Sequence, residues 1–331
     1  MIKNKLHQII IKGLLPVVIS ILAFNSCGEP QKHSLRLQWF HLAQFAGFYS
    51  AQDNGYYLDN GIDLLINPGG PDFNAIQLVA NSSETFGVWT ADQILIAQSK
   101  GIPITIIGTI YREDPNVLMV KSQSEIYTPK DFIGKKITTV FGRSTETVLR
   151  ALLEKEKINE KDVIIEPFPF NIQSFLSGNV DVSAAYSYDH PYQAQKAGQD
   201  VRLIKPSDYG VKFYSDCIFT RNELLENNPE LVQAFVSATL KGWEFALANK
   251  DSAISTVLNF APHLDRESQL YMLIEAESLI KSENPSQLGL INPNSIKQMV
   301  EILKEQKQLT SDFDPSKAFT NKFISEYYDK K

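Results

Sequence analysis

The sequence contains few cysteines and histidines, the residues that form zinc sites and thiol or imidazole catalytic centres. Only two cysteines occur in 331 residues, and the five histidines are scattered. There is no HExxH pattern and no grouping of cysteine and histidine at the spacing of zinc ligands. The GxSxG, Walker A and GxGxxG patterns are also missing. The sequence therefore gives no indication of a metalloenzyme, a serine hydrolase or a nucleotide-binding enzyme.

The chain also lacks an excess of positive charge. It has 38 acidic against 32 basic residues, and its formal net charge is −6. Such a balance gives no electrostatic reason to expect binding to nucleic acid or to an anionic membrane surface. Its hydrophobic content of 43% is enough for a full core, and its length allows two domains.

Residues 1–26 have the form of a signal peptide, in which three lysines precede a short apolar run that contains no acid. The run is too short to span a bilayer. Ser26-Cys27 at its end resembles a bacterial lipobox, although Phe24 stands where leucine is usual. We therefore expect lipid attachment at Cys27 and a tether over residues 27–33. The alternative is an ordinary secreted protein with a chance cysteine at this position. In a mature lipoprotein Cys217 would be the other cysteine, so no disulfide is expected.

Strand and helix patterns alternate through the next part of the chain, which predicts an α/β fold with a doubly wound sheet in each of two lobes. We place the first part of lobe 1 at residues 34–118, lobe 2 at 119–215 and a mainly helical second part of lobe 1 at 216–331. Extended segments near 117–121 and 214–220 would form a two-strand hinge.

Aromatic residues follow the first predicted strand, which starts at Leu35 and runs through Trp39. The segment includes His41 and Phe45, and another strand ends at Trp89. Open α/β sheets bind ligands at the carboxyl ends of their strands, so these residues are predicted to form one wall of a cleft. The alternative is that they are ordinary core residues.

Two segments of the second lobe are candidates for the facing wall. Gly142, Ser144 and Thr145 stand at a predicted helix start, where a neutral contact loop, simple capping or an anion site are the possibilities. Glu146 in the first turn disfavours the anion.

The other segment, from Tyr186 to Pro191, follows a predicted strand and contains Tyr186, Tyr188, Asp189 and His190. Tyrosine rings from one lobe and tryptophan rings from the other could hold a flat ring, with Asp189 accepting hydrogen bonds from it. A tyrosine-rich surface loop is the alternative.

These features together resemble the NMT1/THI5-like family of substrate-binding proteins for ABC importers, which bind thiamine pyrimidine precursors. The resemblance rests on W.HLAQFAGFY.A...GYY...GI from Trp39, on Asn67-Pro68-Gly69-Gly70, on the segment around Ser207-Asp208-Tyr209-Gly210, and on the helix from Pro229 to Glu244. It implies a two-lobed type II periplasmic-binding-protein fold that closes on its ligand.

The resemblance also implies where the ligand binds. Trp39, the loop around His41 and Trp89 would contact it from one lobe, and the segments at Gly142 to Thr145 and Tyr186 to Pro191 from the other. Relatives commonly carry Asn-Glu-Pro where this chain has Asp189-His190-Pro191, which puts the ligand preference in doubt.

The expected function is that of a periplasmic or extracytoplasmic lipoprotein. It would be a monomer that presents a small heteroaromatic ligand to ABC permease and ATPase subunits, without a cofactor and without chemistry. One alternative is a THI5-like enzyme that uses His41 or His190, although this chain lacks the cysteine-rich motif of those synthases. Another is a sensor that acts on a membrane receptor.

Overall fold

The computed structural model describes residues 31–283 and 286–331. The predicted leader, the lipidation site Cys27 and most of the predicted tether lie outside these residues. Within the described ranges, no helix combines the length and the apolar composition needed to cross a bilayer.

Two five-stranded sheets form the centres of two lobes. The strands are β1 (Gln31–Arg36), β2 (Ile62–Asn67), β3 (Phe86–Trp89), β4 (Ile104–Tyr111), β5 (Asn116–Lys121), β6 (Lys136–Thr139), β7 (Ile164–Pro167), β8 (Val182–Tyr186), β9 (Val201–Ile204) and β10 (Ser215–Arg221). The first sheet has the order β2-β1-β3-β10-β4 and the second the order β7-β6-β8-β5-β9. In each sheet one inner strand, β10 or β5, runs antiparallel to both of its neighbours.

Twelve α-helices cover these sheets over the described residues. They are α1 (Ala46–Asp53), α2 (Ala75–Ala80), α3 (Ala91–Ser99), α4 (Ser144–Lys155), α5 (Gln173–Leu176), α6 (His190–Lys196), α7 (Asn222–Asn227), α8 (Pro229–Ala248), α9 (Lys250–Phe260), α10 (Arg266–Ile280), α11 (Pro293–Glu305) and α12 (Lys322–Asp329). Helices α4 to α6 belong to the second lobe, and the others pack mainly on the first.

The first strand lies earlier in the chain than the sequence pattern indicates. It begins at Gln31 and pairs with β2 from Ile62 onward, because the backbone groups of β2 need partners along its whole length. Residues 31–33, predicted as tether, are therefore part of the sheet. The strand ends at Arg36, so Trp39 lies in the bend that follows it.

The chain passes between the lobes twice, at residues 112–115 and 205–214. The first connection joins β4 of one sheet to β5 of the other, and the second joins β9 to β10. The segments predicted as hinge strands are instead β5 and β10, which lie inside the sheets just after these connections.

Two glycines let helices α1 and α8 lie in close contact in the first lobe. A Cβ atom added at Gly47 would lie 2.1 Å from the ring of Trp243, and one at Gly242 would lie 2.3 Å from the carbonyl oxygen of Gly47. No side chain fits at these distances. The contact fixes α1, and with it the aromatic segment between β1 and α1.

Candidate functional site

A cavity of about 200 Å³ lies between the two lobes. Its first-lobe wall comes from the bend after β1 and from the end of β3. Its second-lobe wall comes from the turn before α4, the loop after β7 and the segment that joins β8 to α6. These are carboxyl ends of parallel strands, where the fold class places ligands.

The indole of Trp39 forms an aromatic face of the first-lobe wall. The backbone N–H of Gly69 donates to the Trp39 carbonyl oxygen at 2.7 Å. Only glycine fits there, because a Cβ atom at Gly69 would lie 2.2 Å from the Leu37 carbonyl oxygen. The Trp39 ring stacks on Phe170 of the second lobe, with the centroids 5.8 Å apart and an interplanar angle of 26°. An aromatic contact therefore crosses the cleft.

Arg143 makes a second contact across the cleft. Its guanidinium carbon lies 4.5 Å from the centre of the Trp89 ring, a cation–π geometry. The same group donates to the carbonyl oxygens of Gly70 at 3.1 Å and Pro71 at 3.0 Å. Burial lowers the pKa of Arg143. This one second-lobe side chain thus contacts two segments of the first lobe.

The turn that carries Arg143 satisfies its own backbone donors. Gly142 adopts φ 72°, and its N–H donates to the Glu146 carboxylate at 2.7 Å. The N–H of Val140 donates to the Thr145 hydroxyl at 3.1 Å. A side-chain carboxylate of this chain therefore occupies the position where an anion would bind to Gly142. Ser144 is the first residue of α4. Of the possibilities considered, helix capping by Ser144 or Thr145 does not occur, because Arg143 is the N-cap and makes no side-chain cap.

The segment after β8 supplies most of the polar groups of the second-lobe wall. The N–H of Tyr186 donates to Nδ1 of His190 at 3.1 Å, and burial lowers the pKa of His190. A neutral ring that accepts at Nδ1 carries its proton on Nε2, so His190 is a hydrogen-bond donor. Asp189 accepts from the Gln193 amide at 2.8 Å. Burial raises the pKa of Tyr188 well above its usual value, which keeps the phenol neutral.

The floor of the cavity contains two amides held by a buried carboxylate. Nε2 of Gln44 donates to the two Asp216 oxygens at 2.9 and 3.1 Å, and Nε2 of Gln38 also donates to Asp216. Burial raises the pKa of Asp216 to about 8, although the Gln44 hydrogen bond opposes the shift. Burial also raises the pKa of nearby Asp114 to about 7. The floor thus presents two amide groups that are held from behind by a buried acid.

Comparison with known proteins identifies the family. The sequence model of a family described as NMT1/THI5 like matches residues 42–253, which is more than half of the chain. The chain belongs to the NMT1/THI5-like family.

Relatives in this family include both binding proteins and enzymes. A formylaminopyrimidine-binding protein of Halalkalibacterium halodurans is 27% identical over 82% of this chain and 87% of that protein. The riboflavin-binding protein RibY of Chloroflexus aurantiacus is also 27% identical, over 89% of this chain and 86% of that protein. A 4-amino-5-hydroxymethyl-2-methylpyrimidine phosphate synthase of Legionella pneumophila is 25% identical over 88% of this chain and 92% of that protein.

Among solved structures, the sulfonate-binding protein SsuA of Methylobacillus flagellatus matches with a TM-score of 0.68 and 18% identity over 92% of this chain and 96% of that one. This likeness concerns the fold. It confirms the predicted two-lobed α/β architecture of a type II binding protein.

In this NMT1/THI5-like chain, most of the predicted ligand residues line the cavity. They are Trp39, Trp89, Ser144, Thr145, Tyr186, Tyr188, Asp189 and His190. The structure places His41, Phe45 and Gly142 away from the cavity wall. Nδ1 of His41 lies 2.9 Å from the Tyr49 hydroxyl, and its ring packs against Phe260. Phe45 is fully buried in the first-lobe core, because a 3-10 turn at Ala43–Phe45 directs its side chain inward.

Several cavity residues were missed in the sequence reasoning. They are Gln38, Gln44, Arg143, Phe168 and Phe170, among others. The two glutamines carried a usable signal, since they are amides in an otherwise apolar stretch. Phe168 and Phe170 follow β7 at its carboxyl end, so the positional rule that identified Trp39 applies to them as well.

Proposed function

We propose that this protein is an extracytoplasmic substrate-binding protein that binds a small heteroaromatic ligand between its lobes and delivers it to an ABC permease. The ligand class we propose is that of thiamine pyrimidine precursors. The observation that carries this proposal is the cavity between aromatic faces of both lobes, with Trp39 on one side and Phe170 and Tyr186 on the other. The names of the two binding-protein relatives support it.

The aromatic faces suit a flat ligand ring. Phe170 stacks on Trp39, which demonstrates that this face of the indole accepts a ring. Phe170 adopts φ 56°, a conformation that costs energy for a bulky residue, and its side chain is 51% exposed. A ligand ring that displaces or adjoins Phe170 would gain about 0.5 to 1.5 kcal/mol from each stacked face beyond the gain from buried area.

Closure of the lobes would couple binding to delivery. The segments at 112–115 and 205–214 are the only chain connections between the two sheets in the described part of the chain. Arg143 holds the closed arrangement by contacting Trp89 and the carbonyl oxygens of Gly70 and Pro71. A ligand that touches both walls would favour this arrangement over an open one.

Calorimetry and tryptophan fluorescence on the purified mature domain would test the proposal. The panel is an aminopyrimidine thiamine precursor, riboflavin and an alkanesulfonate. We expect binding of a heteroaromatic compound with quenching of Trp39 fluorescence, and at least tenfold weaker binding by Trp39→Ala. Phe141→Ala is the matched control, because Phe141 is an exposed phenylalanine of the second lobe that does not line the cavity. Absence of binding to every heteroaromatic compound would contradict the proposal.

A synthase is the second candidate function, because synthases also occur among the relatives. The geometry gives it little support. Burial raises the pKa of the Cys217 thiol to about 12, which suppresses the reactive thiolate, and His41 contacts Tyr49 rather than the cavity. We therefore propose that the protein binds its ligand without transforming it. Formation of a pyrimidine product from pyridoxal phosphate by the purified protein would reverse this conclusion.

Attachment to the membrane through Cys27 belongs to the same proposal, and we propose a monomer that stays on the extracytoplasmic side. Cys27→Ala should release the protein from the membrane fraction of cells, whereas unchanged partitioning would exclude a lipid anchor at this residue. Co-purification with permease subunits would distinguish delivery from sensing, in which the partner is a membrane receptor.

A further inference from the structure

Two glutamine side chains on the floor of the cavity point their amide nitrogens toward the same carboxylate. Gln38 and Gln44 both line the cavity and are almost fully buried. Their Nε2 atoms both donate to Asp216, which is 178 and 172 positions further along the chain. Asp216 stands on β10 directly after the second connection between the lobes, and its side chain is inaccessible to solvent.

This contact decides which end of each amide faces the ligand. Oδ1 of Asp216 accepts from the NH₂ groups of both glutamines and Oδ2 also accepts from that of Gln44. The ionised carboxylate satisfies this arrangement in full, because it only accepts hydrogen bonds. The two carbonyl oxygens are then directed away from Asp216. Within residues 31–283 and 286–331, no group donates a hydrogen bond to either oxygen. The cavity thus receives two acceptors of fixed orientation.

Other groups around the cavity are also without partners. The hydroxyl groups of Thr90 and Tyr188 are buried and form no hydrogen bond within the described residues, and both residues line the cavity. Unpaired buried polar groups are costly, so native proteins keep them mainly where a ligand or water supplies the partner. Asp216 adopts a left-handed backbone conformation, φ 46°, of the kind that concentrates at ligand sites.

The charges near the floor favour the same class of ligand. Asp216, Asp114 and Asp92 are close enough to one another to influence the electrostatics of Cys217 together. Arg143 is a cation on the cavity wall, but its guanidinium group already contacts Trp89 and two backbone carbonyl oxygens. An anionic ligand would meet acceptor oxygens at the floor, and its charge would oppose the ionisation of Asp216 and Asp114.

We propose that Asp216 is a positioning residue that fixes the Gln38 and Gln44 amides, so that the site selects a heteroaromatic ring with N–H donors on its inner edge. One exocyclic amino group, or two neighbouring N–H groups, would supply both glutamine oxygens. The site then rejects sulfonates and phosphates, which carry acceptors only. This inference rests on the proposed function, since it concerns the ligand of the same cavity.

The test compares two probes at pH 9, above the raised pKa of Asp216, so that the wild-type side chain is ionised and only accepts. The two probes are measured on the wild-type protein and on Asp216→Asn. The probes are an aminopyrimidine thiamine precursor and its oxo analogue, in which oxygen replaces the ring amino group. The asparagine amide of this variant can accept through only one atom and must donate through the other, so one glutamine has to turn its NH₂ group toward the cavity. We expect wild type to prefer the amino probe by about 10- to 100-fold, the loss typical of leaving a buried acceptor unpaired. Asp216→Asn should reduce that ratio to near one.

A merely structural role for Asp216 would weaken both probes equally and leave the ratio unchanged, and that result would overturn the inference. Asp92→Asn is the matched control, because Asp92 is a buried aspartate of the first lobe that makes no hydrogen bond to either glutamine. It should keep the wild-type ratio. A lowered ratio in this control would also overturn the inference.

A second variant keeps the test decisive if Asp216→Asn does not fold. Gln38→Met preserves the length of the side chain and removes the acceptor oxygen, so it should lower the ratio in the same direction. An unchanged ratio in Gln38→Met would count against the inference just as strongly. The result also separates the two proposals. If the wild-type protein binds neither probe, the proposed function is contradicted. If the probes bind but the variants keep the wild-type ratio of amino-probe to oxo-probe affinity, only the role of Asp216 is contradicted.

Discussion

The free energy of unfolding of the ligand-free protein should fall as the pH rises from 6.5 to 7.5. Burial raises the pKa of Asp216 from 3.8 to about 8 and that of Asp114 to about 7. In this interval the folded protein keeps protons that the unfolded chain has already lost. Stability decreases with pH wherever the folded state binds more protons, so the sign is negative.

The magnitude follows from the number of protons involved. Each additional proton held by the folded state changes the free energy of unfolding by about 1.4 kcal/mol per pH unit. Asp216 contributes nearly one proton in this interval, and Asp114 contributes about half of one. These two carboxyl groups alone should therefore lower the free energy of unfolding by about 2 kcal/mol between pH 6.5 and 7.5.

Histidine offsets part of this decrease. Burial lowers the pKa values of His33, His41 and His190 from 6.5, so these rings charge more readily in the unfolded chain. In the unfolded chain such a ring is half protonated at pH 6.5, so the three rings together restore up to about 1 kcal/mol by pH 7.5, and the net decrease is about 1 kcal/mol. The same histidines are present in every variant, so a comparison of slopes between variants cancels their effect.

Urea unfolding at several pH values would measure the slope in wild type and in Asp216→Asn. The variant cannot ionise at this position, so between pH 6.5 and 7.5 its free energy of unfolding should decrease by about 1 kcal/mol less than that of wild type. Asp131→Asn is the control, because Asp131 is on the surface and accepts backbone hydrogen bonds that lower its pKa. Asp131 therefore stays ionised throughout this interval, and the variant should show the wild-type slope. Identical slopes in wild type and Asp216→Asn would refute the reasoning.

Three further predictions concern packing, closure and binding. Gly47→Ala should lower the free energy of unfolding by about 3 kcal/mol, because the added Cβ would lie 2.1 Å from Trp243. Gly108→Ala is the control and should cost less in the same denaturant titration, because its Cβ would contact only the ends of side chains, at 3.1 Å or more. Arg143→Lys should weaken ligand binding about tenfold in calorimetry with little change in Tm, because lysine cannot both stack on the Trp89 ring and donate to the carbonyl oxygens of Gly70 and Pro71 as the planar guanidinium does. Unchanged affinity would show that this contact does not contribute to closure. Ligand affinity should increase from pH 6.5 to 8.5, opposite to the stability trend, because donors on the ligand favour the ionised form of Asp216; a flat profile would contradict this.

Local sequence patterns predicted the elements that position the site. Strand β4 carries a run of isoleucines buried on both faces, and α8 begins at Asn228-Pro229, where the asparagine side chain accepts from the Leu231 N–H. Once strands and helices alternate, the carboxyl ends of the strands are the expected ligand positions. That rule was sufficient to select Trp39 and Tyr186.

Contacts between distant parts of the chain were not predictable from local patterns. The insertion of β10 between β3 and β4 brings Asp216 beneath Gln38, and no periodicity in either segment encodes that pairing. His41 stands two residues after Trp39 and was expected at the cavity, but its Nδ1 atom lies 2.9 Å from the Tyr49 hydroxyl and it does not line the cavity. The rotation of a few backbone angles after a strand decides which of several adjacent aromatic residues faces a cavity.

The two lobes supply different parts of the proposed recognition. Trp39, Gln38 and Gln44 lie within seven residues of the first lobe, and Asp216 holds the two amides from the same sheet, so the stacking face and the oriented acceptors do not depend on closure. Arg143, Phe170 and His190 belong to the second lobe and line the cavity from the other side, so in the proposed closure they would reach the ligand only when the lobes approach. A ligand would therefore be selected by the first lobe before closure. Substitutions in the first lobe should change which compounds bind, whereas substitutions in the second lobe should change how long they stay bound, which appears in the dissociation rate.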